Sequence, residues 1–277
     1  MQITPPRCPY RSCSQYATPA PRFYVRHGYY QPRCRRSPVP RFRCRSCLRT
    51  FSRQTFRHDY RDRRPECNVP LFEKLISGSG LRQAGRVLRL DAHSVQSKFR
   101  KMARTCRWLH RNLATRLPSE RTYVLDEEET YEKASIRPLT MPVLIDRDTY
   151  FVVATAVGPI RRLSAAGTQR RQLQDHREFH SGQRRDRSRR CVHAVLRSLR
   201  HRAGAQVQLL SDEKASYRQL GGEIFGPDFR HSTTISTLAR GTFNPLFPIN
   251  LTLAMTRDNC GRLHRRSWLV TEKRRCL

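Results

Sequence analysis

Acidic side chains are scarce in this chain. Its 277 residues hold 22 Asp+Glu against 55 Lys+Arg, a formal net charge of +33. A surface this short of acid attracts phosphate polymers and releases their counterions. Lysine is scarce as well, supplying six of the basic residues. Arginine favours bidentate phosphate contacts, although genome base composition also produces such a bias. Long apolar runs are missing: none approaches the roughly 20 residues that span a bilayer. The N-terminus shows no signal-peptide apolar region. The expectation is therefore a cytoplasmic protein with no membrane partner. The 10 cysteines then read as thiols and metal ligands rather than a disulfide framework. Internal repeats and long low-complexity tracts are also lacking.

The charge is uneven. Residues 1–110 hold 25 Lys+Arg and 5 Asp+Glu, whereas residues 111–277 hold 30 and 17. The N-terminal part is expected to grip duplex DNA. Neutralising about six phosphates gives a log–log salt slope of roughly −5.

Residues 1–66 read as a loop-rich module too small for a core of its own. Cys8 and Cys13 form one ligand pair and Cys44 and Cys47 the other, both at spacings that structural zinc sites use. Phe23–Val25 and Arg41–Arg43 suit short strands between them. A zinc ribbon is expected, ordered by its metal, with Cys34 a spare thiol and Cys67 unrelated.

Within a segment 67–118, residues 69–106 look helical in three pieces. Leu71, Phe72, Leu75 and Ile76 give an apolar face, and Ser77-Gly78-Ser79-Gly80 breaks the helix. Leu81, Ala84, Val87 and Leu88 recur at helical spacing. Asp91 is an expected N-cap. The third piece carries Val95, Phe99 and Met102 on one face, with Ser94, Gln96, Ser97, Lys98, Arg100 and Lys101 on the other. This is helix-turn-helix logic, with the last helix reading DNA. A three-helix linker with a solvated basic face is the plainer alternative.

From Arg121 the pattern turns to strands. Thr122–Leu125, Leu139–Ile145 and Tyr150–Val157 are expected strands, with Asp146-Arg147-Asp148 as a hairpin turn. Residues 161–190 are polar. Val192, Val195, Leu196 and Leu199 mark a helix, and Val207–Leu210 a fourth strand, followed by helices, the last from Leu246 to Trp268 with Arg265 and Arg266. Asp126 and Asp212 each stand where a predicted strand ends. Carboxylates so placed in a basic chain suggest a divalent cation held against a polyanion.

The order of these motifs resembles bacterial insertion-sequence transposases that join a zinc ribbon and helix-turn-helix to a DDE catalytic domain of ribonuclease H-like fold. The segment from Arg41 to Ser52 resembles the family's second knuckle, and Asp126-Glu127-Glu128-Glu129-Thr130-Tyr131-Glu132 its first catalytic strand. Pro142–Phe151 resembles the hairpin that follows, Ser211-Asp212-Glu213-Lys214 the second catalytic segment, and Asn244–Asn250 with Ala254–Asn259 the last helical segment. The resemblance implies an α+β multi-domain chain, with a ribonuclease H-like mixed sheet and flanking helices over 119–277. It implies Mg²⁺ or Mn²⁺ at Asp126 and Asp212, phosphodiester cleavage and strand transfer, and action as a homo-oligomer on terminal inverted repeats and target DNA near the nucleoid. The family's third acid lies near the position of Asn250 here, and Asp258 is the acid available two turns on. The end of the chain at Arg274-Arg275-Cys276-Leu277 reads as a C-terminally truncated copy. Two other readings stay open: a decayed, non-enzymatic DNA-binding regulator, and a nuclease that cuts without joining.

Overall fold

A computed structural model describes residues 4–32, 37–115, 121–202, 206–235, 237–238 and 241–264. Cys34, the expected boundary at 118/119, Arg265, Arg266, Trp268 and the chain end lie outside the described residues. The chain divides into two compact units, Met1–Lys74 with Leu81–Trp108, and Leu75–Gly80 with Leu109–Leu277. No described helix is long and apolar enough to cross a membrane.

The first unit opens with a three-stranded antiparallel sheet of β1 (Tyr24–Tyr30), β2 (Val39–Cys44) and β3 (Thr50–Ser52), in that order. Phe23, Phe42 and Phe51 pack with the cysteines beneath it. Three helices follow, α1 (Asn68–Ile76), α2 (Leu81–Val87) and α3 (Ala92–Ala114). Asp91 caps α3 through the Ser94 amide at 2.9 Å. Gly85 lets α2 approach α3 closely, since a Cβ there would meet the Leu90 carbonyl at 3.0 Å and Val95 at 3.1 Å.

The second unit is an α+β arrangement with a mixed sheet flanked by helices. Its strands are β4 (Thr122–Tyr131), β5 (Pro138–Asp146), β6 (Val152–Thr155) and β7 (Gly158–Pro159). Helices α4 (Gln169–Ser181) and α5 (Ser188–Arg200) precede β8 (Val207–Ser211). Then come α6 (Ala215–Phe225), β9 (Phe229–Thr233) and α7 (Phe247–Asn259). The strand order is β6-β5-β4-β8-β9, with β7 beside β5. The β4–β5 and β5–β6 pairs are antiparallel, and β4–β8 and β8–β9 are parallel. Strand alternation sends side chains to two cores. Tyr123, Leu125 and Leu209 pack with α5 and α6, including Leu196, Tyr217 and Leu220. Val124, Val143 and Leu210 pack with Ile249 and Leu253 of α7.

Four expectations change. Asp126 is mid-strand, not at a strand end: β4 runs on through the acids because β5 pairs with it as far as Tyr131. The polar stretch 161–190 contains α4 and the start of α5, with the Thr168 hydroxyl capping α4 through the Arg171 amide. A further strand at the sheet edge, β9, pairs with β8 where only helices were expected. The last long helix stops at Asn259, where Cys260 leaves helical geometry and a short 3₁₀ turn follows.

Candidate metal centres

The cysteine ligands are brought in by the turn before the short 3₁₀ helix Ser14–Tyr16, which Cys13 N-caps, on one side and by the β2–β3 turn on the other. The Cys13 amide donates to the Tyr10 carbonyl, and the Leu48 amide to the Cys44 carbonyl, curling each knuckle. Leu48 takes a left-handed φ of 59° to close the second turn. The Sγ atoms of Cys8 and Cys47 lie 3.7 Å apart, as do those of Cys13 and Cys44. All four donor atoms lie within 4.8 Å of one another. A tetrahedron with sulfurs about 2.3 Å from its centre has edges of about 3.8 Å, so this set fits a zinc ion. Burial pushes the Cys8 thiol up to about 12. For Cys44 burial acts in the same direction, but the Cys47 and Ser46 amides outweigh it and bring the thiol down to about 7.

In the second unit, β4 and β8 are parallel neighbours in the register Thr122↔Gln208, Tyr123↔Leu209, Val124↔Leu210. Continuing that register by two residues sets Asp126 beside Asp212, just past the end of β8. Asp126 follows the alternation of Val124 toward the α7 face. Burial pushes the Asp126 carboxyl up to about 6; the Glu127 amide opposes this, while the charges of Asp212, Glu127 and Glu128 add to it. That amide lies 2.7 Å from Asp126 Oδ1. Asp212 is steadied by the Lys214 amide at 3.3 Å. The acids are oxygen donors of the type Mg²⁺ prefers, and a divalent cation would relieve their mutual repulsion.

The remaining acids of β4 have protein partners. Glu127 turns to the α6 face, where Thr140, Lys214 and Tyr217 all bond to it, the phenol at 2.9 Å. Glu128 is buried on the α7 face with Arg257 at 3.8 Å. Glu129 pairs with Arg162. Asp258, next to Arg257 and about 100° round the helix, is exposed, and its backbone carbonyl meets His264 Nε2 at 2.8 Å. Asn250 lies in the first turn of α7, partly exposed. Among the described residues, the four cysteines are the group of three or more metal-ligating side chains gathered within 4.8 Å. Asp126, Asp212 and Asp258 do not gather in that way.

Sequence reasoning missed Lys214 and Tyr217 as neighbours of the acidic strand, although Lys214 closes the Ser211–Lys214 motif. It also missed His231 on β9. Its Nε2 lies 2.8 Å from Ser211 Oγ, which donates to the Asp212 carbonyl.

On α3, Ser94 and Ser97 are partly exposed and Gln96 and Arg100 exposed. Lys98 and Lys101 depart from the exposed face assigned to them. Lys98 is 6% exposed and donates to Asn68 at 2.7 Å, the Arg64 carbonyl at 2.8 Å and Asp62 at 3.2 Å. Lys101 pairs with Asp62 and reaches the Tyr60 carbonyl at 2.7 Å. The buried Asp62 needs both cations, and the segment before α1 supplies it. Neither a protein-family model nor a curated protein matches the chain.

Proposed function

We propose that the chain is an insertion-sequence DNA transposase that cleaves and joins phosphodiester bonds at Asp126 and Asp212, with a zinc ribbon and helix-turn-helix that hold DNA. The observation that carries this reading is the parallel β4–β8 pairing, whose register, continued by two residues, sets Asp126 beside Asp212. The strand order, three antiparallel strands followed by two parallel ones, supports a ribonuclease H-like domain. A divalent cation held by the two carboxylates supplies the charge that stabilises phosphoryl transfer. The chain's own residues hold that pair in place. Lys214 and Tyr217 tie Glu127 to the α6 side. Arg257 offsets Glu128 on the α7 side. Among the described residues, Asp126 and Asp212 are thereby left as the carboxylates of this group with no salt bridge to a cation.

The placement of Asp258 favours a second reading, a DNA-binding protein that has lost catalysis. Nicking and strand transfer on supercoiled DNA in Mg²⁺ separates the two. The transposase reading predicts cleavage that falls by about 100-fold or more in Asp126→Asn and Asp212→Asn, with DNA binding kept. Asp258→Asn should match them only if Asp258 closes the site from α7. DNA binding without any cleavage by the unaltered chain would favour the regulator.

A further inference from the structure

A cavity of about 170 Å³ opens among the β4–β5 turn, the segment after β7 and the end of α4. Its volume is far above the roughly 15 Å³ that admits one water. Tyr131, at this end of β4, is five residues from Asp126, about 17 Å of strand. The cavity is therefore separate from the acidic pair, and the inference does not depend on what that pair does.

Five arginines line it, Arg137, Arg161, Arg162, Arg177 and Arg184, with Glu178 as an acid among them. Three have structural tasks. Arg161 forks onto Glu178 through two bonds of 3.0 Å. Arg184 ties the wall together by donating to the Ile160 carbonyl at 3.1 Å and the Pro138 carbonyl at 2.9 Å. Arg162 pairs with Glu129. The other two have donors to spare. Arg137 reaches Glu132 at 3.5 Å through one terminal nitrogen, and its Nε is buried with no partner. Arg177 enters no hydrogen bond among the described residues. A buried donor without an acceptor is costly to maintain, and two neighbouring guanidinium groups repel. Burial and then the charge of Arg137 push Arg177 down, with Glu132 acting the other way.

We propose that this cavity is an oxyanion site that takes a phosphoryl group, with Arg137 and Arg177 as its two forks. A guanidinium fork matches two oxygens of a tetrahedral phosphoryl group. A dianion between the two forks also removes their repulsion. The phosphoryl group comes either from a small phosphorylated molecule or from the phosphorylated end of a nucleic-acid strand.

Calorimetric titration of the full chain with inorganic phosphate at fixed ionic strength tests this. Saturable binding is expected, weakened about tenfold in Arg177→Ala by loss of one charge-assisted fork. Arg177→Lys, which keeps the charge but not the fork, should also weaken it. Arg171→Ala, which removes the same charge beside Asp175 outside the cavity, should leave it unchanged. If a 5′-phosphorylated oligonucleotide displaces phosphate and its unphosphorylated twin does not, the source is a strand end. If phosphate binds and neither oligonucleotide displaces it, the source is a small molecule. Absence of saturable binding overturns the proposal. So does equal weakening by Arg171→Ala and Arg177→Ala, which would mean general charge attraction alone.

Discussion

Asp126 illustrates how a single side chain can be held against its own preference. Burial raises its carboxyl from 3.8 to about 6, with Asp212, Glu127 and Glu128 adding to the effect. The folded chain thus binds the proton more tightly than the unfolded chain does. Stability is lost as pH rises from about 4 to about 6, and the loss is complete above that window, at most about 3 kcal/mol. Asp126→Asn should therefore raise unfolding free energy by about 1–3 kcal/mol at pH 8 in the zinc-loaded chain without added Mg²⁺ or Mn²⁺ and give no gain at pH 4. Urea unfolding at the two pH values checks this, and destabilisation at pH 8 would count against it. Lys98 is the opposite case, a buried charge fully met. Lys98→Ala should cost about 3 kcal/mol, because Asp62 and Asn68 lose a partner inside the fold, with Lys101 limiting the damage. Arg100→Ala, on the exposed side of the same helix, should change thermal stability little. Periodicity in the sequence distinguishes the two faces of α3. It does not reveal that the Asp62 segment covers part of the polar one.

At the scale of elements, legibility followed the strength of local signals. The two cysteine pairs and the Ser77–Gly80 break carry their meaning within a few residues, and the structure puts four thiols at a zinc-compatible spacing and ends α1 at Ile76. The Val192–Leu199 stripe is buried as its spacing implies. β9 was hidden because Phe229-Arg230-His231-Ser232-Thr233 has one apolar residue; its pairing is imposed by the open edge of β8. α4 was hidden because Gln174 is its buried residue, leaving no apolar stripe to read. The extent of β4 was hidden because a run of acids argues for a loop unless partners such as Arg257, Arg162 and Lys214 are known. Read as a zinc ribbon, the cysteine module should bring one zinc per chain into the purified protein. Stripping it with chelator, or changing Cys44→Ser with Cys47→Ser, should unfold the module, since metal binding and folding are linked there. Elemental analysis with circular dichroism decides; an unchanged ribbon without metal would reject the assignment.

For the whole molecule, charge frames the central claim. A chain of net +33 repels cations in general, so saturable binding of a divalent ion requires a local cluster of acid. On the proposed reading, Asp126 and Asp212, set side by side when the β4–β8 register is continued, would supply it. The most direct test is titration of the zinc-loaded full chain with Mn²⁺, followed by electron paramagnetic resonance. Saturable binding of one or two ions, displaced by Mg²⁺, is the predicted result. Asp126→Asn and Asp212→Asn should each weaken it about tenfold or more. Equal Mn²⁺ binding by the unaltered chain and the Asp126→Asn, Asp212→Asn double variant, or no saturable binding by either, would contradict the account.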